Sequence, residues 1–382
     1  MGAPNINISF IEKAITAITR GERGIVMLWV KDVLPEAAVN PITIITESDL
    51  PEDLSEETVE QVKLAMIGYT NAPKKILIYC MGIIEETDIE EGYKKAMEAA
   101  ETIRFDYLAI PTVEIDGKGE DIATWVKSMR DNKRKKIKAI LPNVAADHEG
   151  VINYTTAHSR KTETVTGKDG SKIITDTVYT AEQYCARIAG LIAGTPMTIS
   201  CTYAPLPELS DCTRLTDNDT PVDKGEFIIF YDGEKVKVVR GVNSFITTVD
   251  GKGNSFKKIK IVEAMDMIND DIVKTAQDSY LGKYANTYSN KCLLITAISS
   301  YLAQLKRDDI ISSYSIGLDA EAIRNYLKGK GLQAIIEDGT VKEVDDCSDE
   351  EIITADTGAS VFLTGRVKVL DAIEDIYLPI YI

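Results

Sequence analysis

Asp356-Thr357-Gly358, inside the run ADTGAS, is the sharpest catalytic signature that this 382-residue sequence carries. It is the local pattern of aspartic proteases, whose chemistry needs two aspartates sharing one proton, supplied by two lobes or by a dimer. Only 24 residues follow Gly358, too few to build a lobe around it, so the Thr-Gly pair reads as a turn before VFLTGRVKV. Gly-Lys pairs at Gly117-Lys118, Gly167-Lys168, Gly251-Lys252, Gly282-Lys283 and Gly329-Lys330 invite a phosphate-loop reading. None is followed by Ser or Thr, and none sits in a GxxxxGK frame between a strand and a helix. They read as turns and helix ends. The run DNDTPVDKGE, Asp217 to Glu226, begins like a calcium loop, but Val222 stands where the loop needs glycine. His148 and His158 are the sole histidines, which argues against a histidine-based metal centre or a Ser-His-Asp triad. The expectation is no catalytic residue, no metal and no cofactor.

The bulk numbers narrow the partners. A net charge of −17 repels phosphate backbones and anionic lipid, which argues against nucleic acid and membrane surfaces. Six cysteines are scattered without a CxxC pair, and no signal peptide is evident at the N-terminus. They read as reduced thiols of a chain made in the cytosol. No window approaches 18 consecutive apolar residues. Acidic stretches at Glu47–Glu60 and Glu343–Glu351 lack alternating histidine or cysteine ligands, with Cys347 alone among the acids of the second, and read as solvated surface, with a divalent-cation site as the alternative. The one dense basic run is KSMRDNKRKKIK; its Lys133, Arg134, Lys135 and Lys136 cover a turn and are candidate contacts to an acidic neighbour of the same kind.

The elements behind these residues follow from periodicity. The length suggests two or three domains, each able to bury a core. GIVMLWV, KILIYC, DYLAIPTV and KIKAIL read as apolar strands; SEETVEQVKLAM, EEGYKKAMEAAE and EDIATWVKSMR alternate with them as amphipathic helices. That order predicts a layered α/β domain over 25–150. A β-rich remainder covers 151–250, with a polar, exposed hairpin at 154–180. Within it AEQYCARIAGLIAGTP is a helix stopped by Gly194 and Pro196, and GEFIIFYDGEKVKVVRG forms two apolar strands about Asp232-Gly233. An α+β domain follows over 251–370. Its first long helix has Met265, Ile268, Ile272 and Ala276 on one face. SNKCLLITAISSYLAQLKR is apolar enough to be buried on most sides, and DAEAIRNYLKGKG starts at an Asp319 cap. The fold class is α/β and α+β, multidomain.

Both ends look adhesive. Residues 1–24 are too apolar for a disordered tail: Ile6, Ile8 and Phe10 alternate, and Ile11, Ala14, Ile15 and Ile18 then take a helical phase. At the other end, over 371–382, Ile376, Leu378, Ile380 and Ile382 alternate with Tyr377, Pro379 and Tyr381, a strand pattern of period two. Left unpaired, such a strand is an aggregation hazard, and Pro379 confines it to an edge.

In these features the chain resembles a contractile phage tail sheath protein, of the kind found in Gram-positive myophages and in R-type bacteriocins such as the clostridial diffocins. The segments that carry the resemblance run in order: MGAPNINISFIEKAITAITRGERGIV; GLIAGTPMTISCTYAPLPEL leading to VDKGEFIIFYDGEKVKVVRGVNSFITT; FKKIKIVEAMDMINDDIVKTAQDSYLGKYANT; and the ending GRVKVLDAIEDIYLPIYI. Residues 30 to 180 are the least diagnostic. The resemblance implies a structural subunit that polymerises around a tail tube and contracts when a baseplate triggers it, with a tail terminator at the far end. It implies assembly in the bacterial cytoplasm and release by lysis in a virion tail or bacteriocin particle. It also implies intersubunit arms, here Pro4, Ile6, Ile8 and Phe10 with Ile376, Leu378, Ile380 and Ile382, that add strands to neighbouring C-terminal domains. Tube contact by that domain makes Arg324, Lys328 and Lys330 candidates, against the plainer reading that cations suit a helix C-terminus. The alternatives are the sheath of a type VI-like or other injection system, and a soluble α/β enzyme with an unrecognised carboxylate site.

Overall fold

The computed structural model describes residues 17–82, 88–166 and 172–382, which divide into two compact units. The larger holds Glu22–Met267 and Asp371–Ile382; the smaller holds Ile268–Leu370 with residues 17–21.

In the larger unit the strands β1 (Ile25–Val30), β2 (Ile42–Ile44), β3 (Lys75–Cys80), β4 (Tyr107–Ala109), β5 (Lys138–Pro142) and β6 (Val151–Tyr154) share one sheet. The helices α1 (Glu56–Met66), α2 (Ile89–Ala100) and α3 (Gly119–Asp131) lie between them in sequence, where the amphipathic runs place them. Pairing is parallel except at β2, which runs antiparallel to β3. β1 lies between β3 and β4, so the chain winds outward one way through α1 and then the other way through α2. Right-handed crossovers in opposite directions put their helices on opposite faces. Val26, Leu28 and Val30 accordingly pack with α1, whereas Ile25, Met27 and Trp29 pack with α2 and α3. A strand covered on both sides reads as an unbroken apolar run, as GIVMLWV does.

The polar hairpin is present as β7 (His158–Thr166) and β8 (Lys172–Thr180), with β9 (Asp211–Cys212) added to β7. Its Lys-Asp-Gly-Ser tip lies outside the described residues. The chain then enters α4 (Ala181–Ala193) through a capping box of Thr180 and Gln183. α4 shares the core of α1, and a Cβ on Gly190 would stand 1.9 Å from the Ala65 carbonyl oxygen. Gly190→Ala is therefore expected to cost about 3 kcal/mol by overpacking, read as a lower urea midpoint.

After the short α5 (Asp219–Asp223), the apolar run GEFIIFY divides instead of forming one strand. Glu226–Phe227 becomes β10, which joins β6 in the parallel sheet and completes seven strands. β11 (Ile229–Tyr231) pairs with β12 (Val236–Val238) in a separate hairpin about Asp232-Gly233. Phe227, Ile228 and Ile229 are all buried, so the two-strand reading rested on apolarity that two sheets share. The helix α6 (Ile259–Thr275) follows, its residues up to Met267 in the larger unit. The expected face of Met265, Ile268 and Ile272 is only half-buried. The buried positions include Glu263, Asp266 and Asp271, because partners of opposite charge or hydroxyl donors wait for them.

The smaller unit contains α7 (Tyr288–Arg307), β13 (Ile311–Leu318), α8 (Ala320–Lys330), β14 (Ala334–Ile335), β15 (Val341–Lys342), α9 (Asp349–Ile352) and β16 (Leu363–Val369). β13 and β16 form a two-stranded antiparallel sheet against which α7 packs. α7 buries one face, through Ala297, Ile298, Tyr301, Leu302 and Leu305. Leu293, Leu294 and Ile295 stay half-buried, contrary to burial on most sides. α8 is capped by the Asp319 carboxylate, which accepts the Ala322 N–H, and ends at Gly331 in the left-handed region, φ 65°.

Candidate functional site

The catalytic decoys resolve into turns. The Asp356 carboxylate accepts the Gly358 N–H at 2.8 Å, and the Asn286 amide donates to the carbonyls of Gly358 and Ser360. The buried Lys291 ammonium donates to the Ala355 carbonyl at 3.2 Å, so Asp-Thr-Gly is a clip on the N-terminal turn of α7. Asp217 accepts the N–H groups of Asp219 and Thr220 in the turn that leads into α5. The glycines of Gly117-Lys118, Gly251-Lys252 and Gly282-Lys283 have positive φ, and Gly329-Lys330 closes α8. Gly167-Lys168 lies outside the described residues.

An open α/β sheet binds ligands where its strand order reverses, at the carboxyl ends of the strands. Here that point lies between β1 and β4, and a crevice of about 550 Å³ opens there, lined in part by Lys31, Glu60, Thr112, Tyr179 and Glu182. Its groups are engaged. Glu182 accepts the N–H groups of Glu114 and Ile115, Glu60 accepts the Tyr179 hydroxyl, and Lys31 pairs with Asp116. Burial raises the Glu182 carboxyl above the usual range, against the pull of those two N–H donors.

The densest buried chemistry lies at the opposite, amino ends of the strands, and sequence reasoning missed it. Lys138, at the start of β5, places its ammonium 2.7 Å from Glu263 and 2.6 Å from Asp266 of α6. Arg130, at the end of α3, grips both oxygens of Asp266 at 2.9 Å. Arg23 lies 3.3 Å from Glu263 and 3.9 Å from Asp106, which also accepts the Ile25 N–H. Glu149 completes the set, 3.8 Å from Arg130 and 3.2 Å from Lys252. Burial alone would raise the carboxyls of Glu263 and Asp266. Lys138 outweighs it at both, helped by Arg23 and Arg130 respectively, and Asp266 is held down at about 2. The signal in the sequence was the spacing of Glu263, Asp266 and Asp271 along the stripe of α6 that also carries Val262 and Met267, with a lone lysine in the apolar KIKAIL.

Asp131, His148 and Glu149 are the one group among the described residues spaced to hold a metal ion. The His148 ring argues otherwise. Its Nδ1 accepts the Gly150 N–H at 3.0 Å, which leaves the proton on Nε2, 3.4 Å from Asp131 and 3.7 Å from Glu149. A neutral imidazole so arranged carries its proton on the nitrogen nearest those carboxylates and has no lone pair there for a metal.

The assembly candidates are placed as follows. Pro4, Ile6, Ile8 and Phe10 lie outside the described residues. Just beyond them Arg20 pairs with Asp308 at 2.5 Å, and the Gly21 N–H meets Asp271 at 2.8 Å. Arg324 is turned inward, donating to the carbonyls of Val344 and Cys347 and to Asp349. Lys328 pairs with Asp345; Lys330 sits in the last turn of α8. Of the basic run, Lys133 pairs with Glu101 and Lys135 donates to the Glu101 carbonyl, while Arg134 occupies a left-handed turn position and Lys136 is half-buried. Ile376, Leu378 and Ile380 are 82%, 75% and 76% exposed, and Ile382 is fully exposed. The expected terminal strand is absent from the single chain, because no strand among the described residues pairs with it. The root of that tail is held by Glu374, which accepts from the hydroxyls of Thr202 (2.6 Å) and Ser200 (3.1 Å) and from Lys258 (3.2 Å). On either side of it Asp371 pairs with Lys258, and Asp375 with Arg240.

Comparison with known proteins fits this geometry. Residues 89–244 match the phage tail sheath protein central domain, and residues 251–334 match the phage tail sheath C-terminal domain. The tail sheath protein of Clostridium phage phiCD119 is 35% identical over 383 residues, covering 99% of each chain. Among solved structures, the sheath tail protein from Desulfitobacterium hafniense aligns with a TM-score of 0.62 at 17% identity, over 96% of this chain and 100% of that one. The helical sheath of the anti-feeding prophage in its contracted state aligns with a TM-score of 0.66 at 14% identity, over 100% and 99%. The chain, with its doubly wound body and its small α+β unit, belongs to the phage tail sheath protein family.

Proposed function

We propose that this chain is the repeating subunit of a contractile sheath of a phage tail or phage-tail-like particle, that it polymerises around a tail tube, and that it works without catalysis. The observation that carries the assembly part is a pair of complementary features within one chain. The β13–β16 sheet has only two strands and two open edges among the described residues, and a two-stranded sheet is marginal by itself. The seven residues Ile376–Ile382 alternate like a strand and have no partner strand among the described residues. β13 has eight residues and β16 seven, so the tail is the right length to lie along either edge of a neighbouring copy. Main-chain bonds would join the copies, and the alternating side chains would set the register.

Contraction driven from such a lattice needs a difference in subunit contacts between two states, since the sequence offers no phosphate loop. Tube contact falls to the smaller unit, where Lys328 and Lys330 are the better candidates now that Arg324 is committed to its own loop. The baseplate and tail terminator are the remaining partners. Assembly takes place in the bacterial cytoplasm before release by lysis. Negative-stain microscopy of the purified full chain is expected to show striated tubes or rings. A persistent monomer that turns over a small molecule would overturn the proposal in favour of an enzyme using the crevice at the strand-order reversal.

A further inference from the structure

We propose that Glu374 is a positioning residue that sets where the C-terminal arm leaves the subunit, and so how far it reaches; this rests on the arm reading above. Glu374 is the one deeply buried side chain of the tail, 5% exposed, while Ile373 before it and Ile376 after it are almost bare. A buried carboxylate is costly unless both oxygens find partners. Here one oxygen takes the two hydroxyls, and the other takes Lys258 with Arg240 3.9 Å away.

The receptor is itself held in shape. The Thr202 hydroxyl accepts the Gly241 N–H at 3.0 Å, Ser200 accepts the Thr202 N–H, and Tyr203 takes a left-handed φ of 58°. Three stretches of chain converge on it: the loop after α4, the residue pair after β12, and the approach to α6. Carboxylates raise both Arg240 and Lys258 against the effect of burial, which lowers them. A chance contact of a loose tail would not meet a pre-shaped set of hydroxyls and cations.

The free arm is then the seven residues from Ile376. At about 3.4 Å per residue it reaches roughly 24 Å, and opening the clamp back to Asp371 would add roughly 17 Å. Closed and open clamps therefore select different neighbours. The clamp is ionic and hydroxylic, so it opens and recloses without breaking the fold.

Carboxypeptidase digestion of the full chain, followed by intact mass, tests this. In the native protein trimming is expected to stall near Asp375. In Glu374→Gln and in Lys258→Met it should run on towards Asp371 about tenfold faster, as loss of a charge-assisted hydrogen bond implies, and the fraction assembled into tubes should fall. The same stall point and rate in all three proteins would overturn the clamp. Faster trimming with unchanged assembly would overturn its positioning role. If a chain lacking Ile376–Ile382 still builds tubes, the arm reading fails, while the trimming result continues to report on the clamp.

Discussion

A chain shortened by Ile376–Ile382 is expected to fold and melt like the full chain and to form no tubes in negative-stain images. The first half follows from exposure: the removed side chains are about three-quarters or more exposed, so the monomer loses little burial. The second half follows from what a neighbour would cover. Burying an aliphatic side chain contributes about 1.5–3 kcal/mol, so the four at Ile376, Leu378, Ile380 and Ile382 amount to roughly 6–12 kcal/mol per joint before the cost of ordering the strand. Half of that, about 3–6 kcal/mol, is a loss of roughly a hundredfold to ten-thousandfold in association, by about 1.4 kcal/mol per tenfold. Leu378→Asp with Ile380→Asp keeps the length and should abolish tubes equally. Tubes of normal yield from either protein would refute strand addition by the C-terminus.

The second large effect is expected inside the larger unit. Asp266→Ala leaves Lys138 and Arg130 buried with Glu263 and Glu149 alone to answer them, and breaking a buried pair in this way costs about 3–5 kcal/mol. Urea unfolding, measured in the shortened chain so that polymerisation does not mask it, should show the loss at pH 7. The dependence on pH has a definite sign. Lys138 and Arg130 hold the Asp266 carboxyl at about 2, against 3.8 for the free group. Its contribution is therefore complete above about pH 4 and is lost as the pH falls towards 2. Glu263 shifts in the same direction. The gap between the native protein and Asp266→Ala should narrow over that window; a gap that stays constant would mean that Asp266 is not the charged partner of Lys138.

The body was legible because its strands and helices announce themselves locally. Ser55, Thr180 and Asp319 cap the helices that follow them, and unbroken apolar runs such as GIVMLWV mark strands covered on both faces. GEFIIFY misled because apolarity records burial without saying in which sheet. The ionic cluster was hidden for a related reason. Periodicity counts apolar residues, and the buried stripe of α6 is built partly of Glu263 and Asp266, whose partners Arg23, Arg130 and Lys138 come from distant parts of the chain. Glu374 was hidden too, since one acid in DAIED looks like any surface acid until Ser200, Thr202 and Lys258 surround it. The terminal alternation was plain in the sequence, and among the described residues it meets no partner strand.

In the proposed joint, Pro379 would set a valency. In a strand, the N–H groups of alternate residues face the same side, so Tyr377, Pro379 and Tyr381 share one edge and Ile376, Leu378, Ile380 and Ile382 the other. Proline has no N–H to give, which turns the first edge outward and leaves the second to bond the host. On the proposed joint, an arm laid down in this way would close the edge it joins. A lattice built on that joint would grow by one subunit per joint while refusing the open-ended stacking of strand on strand that would turn a sheath into an aggregate.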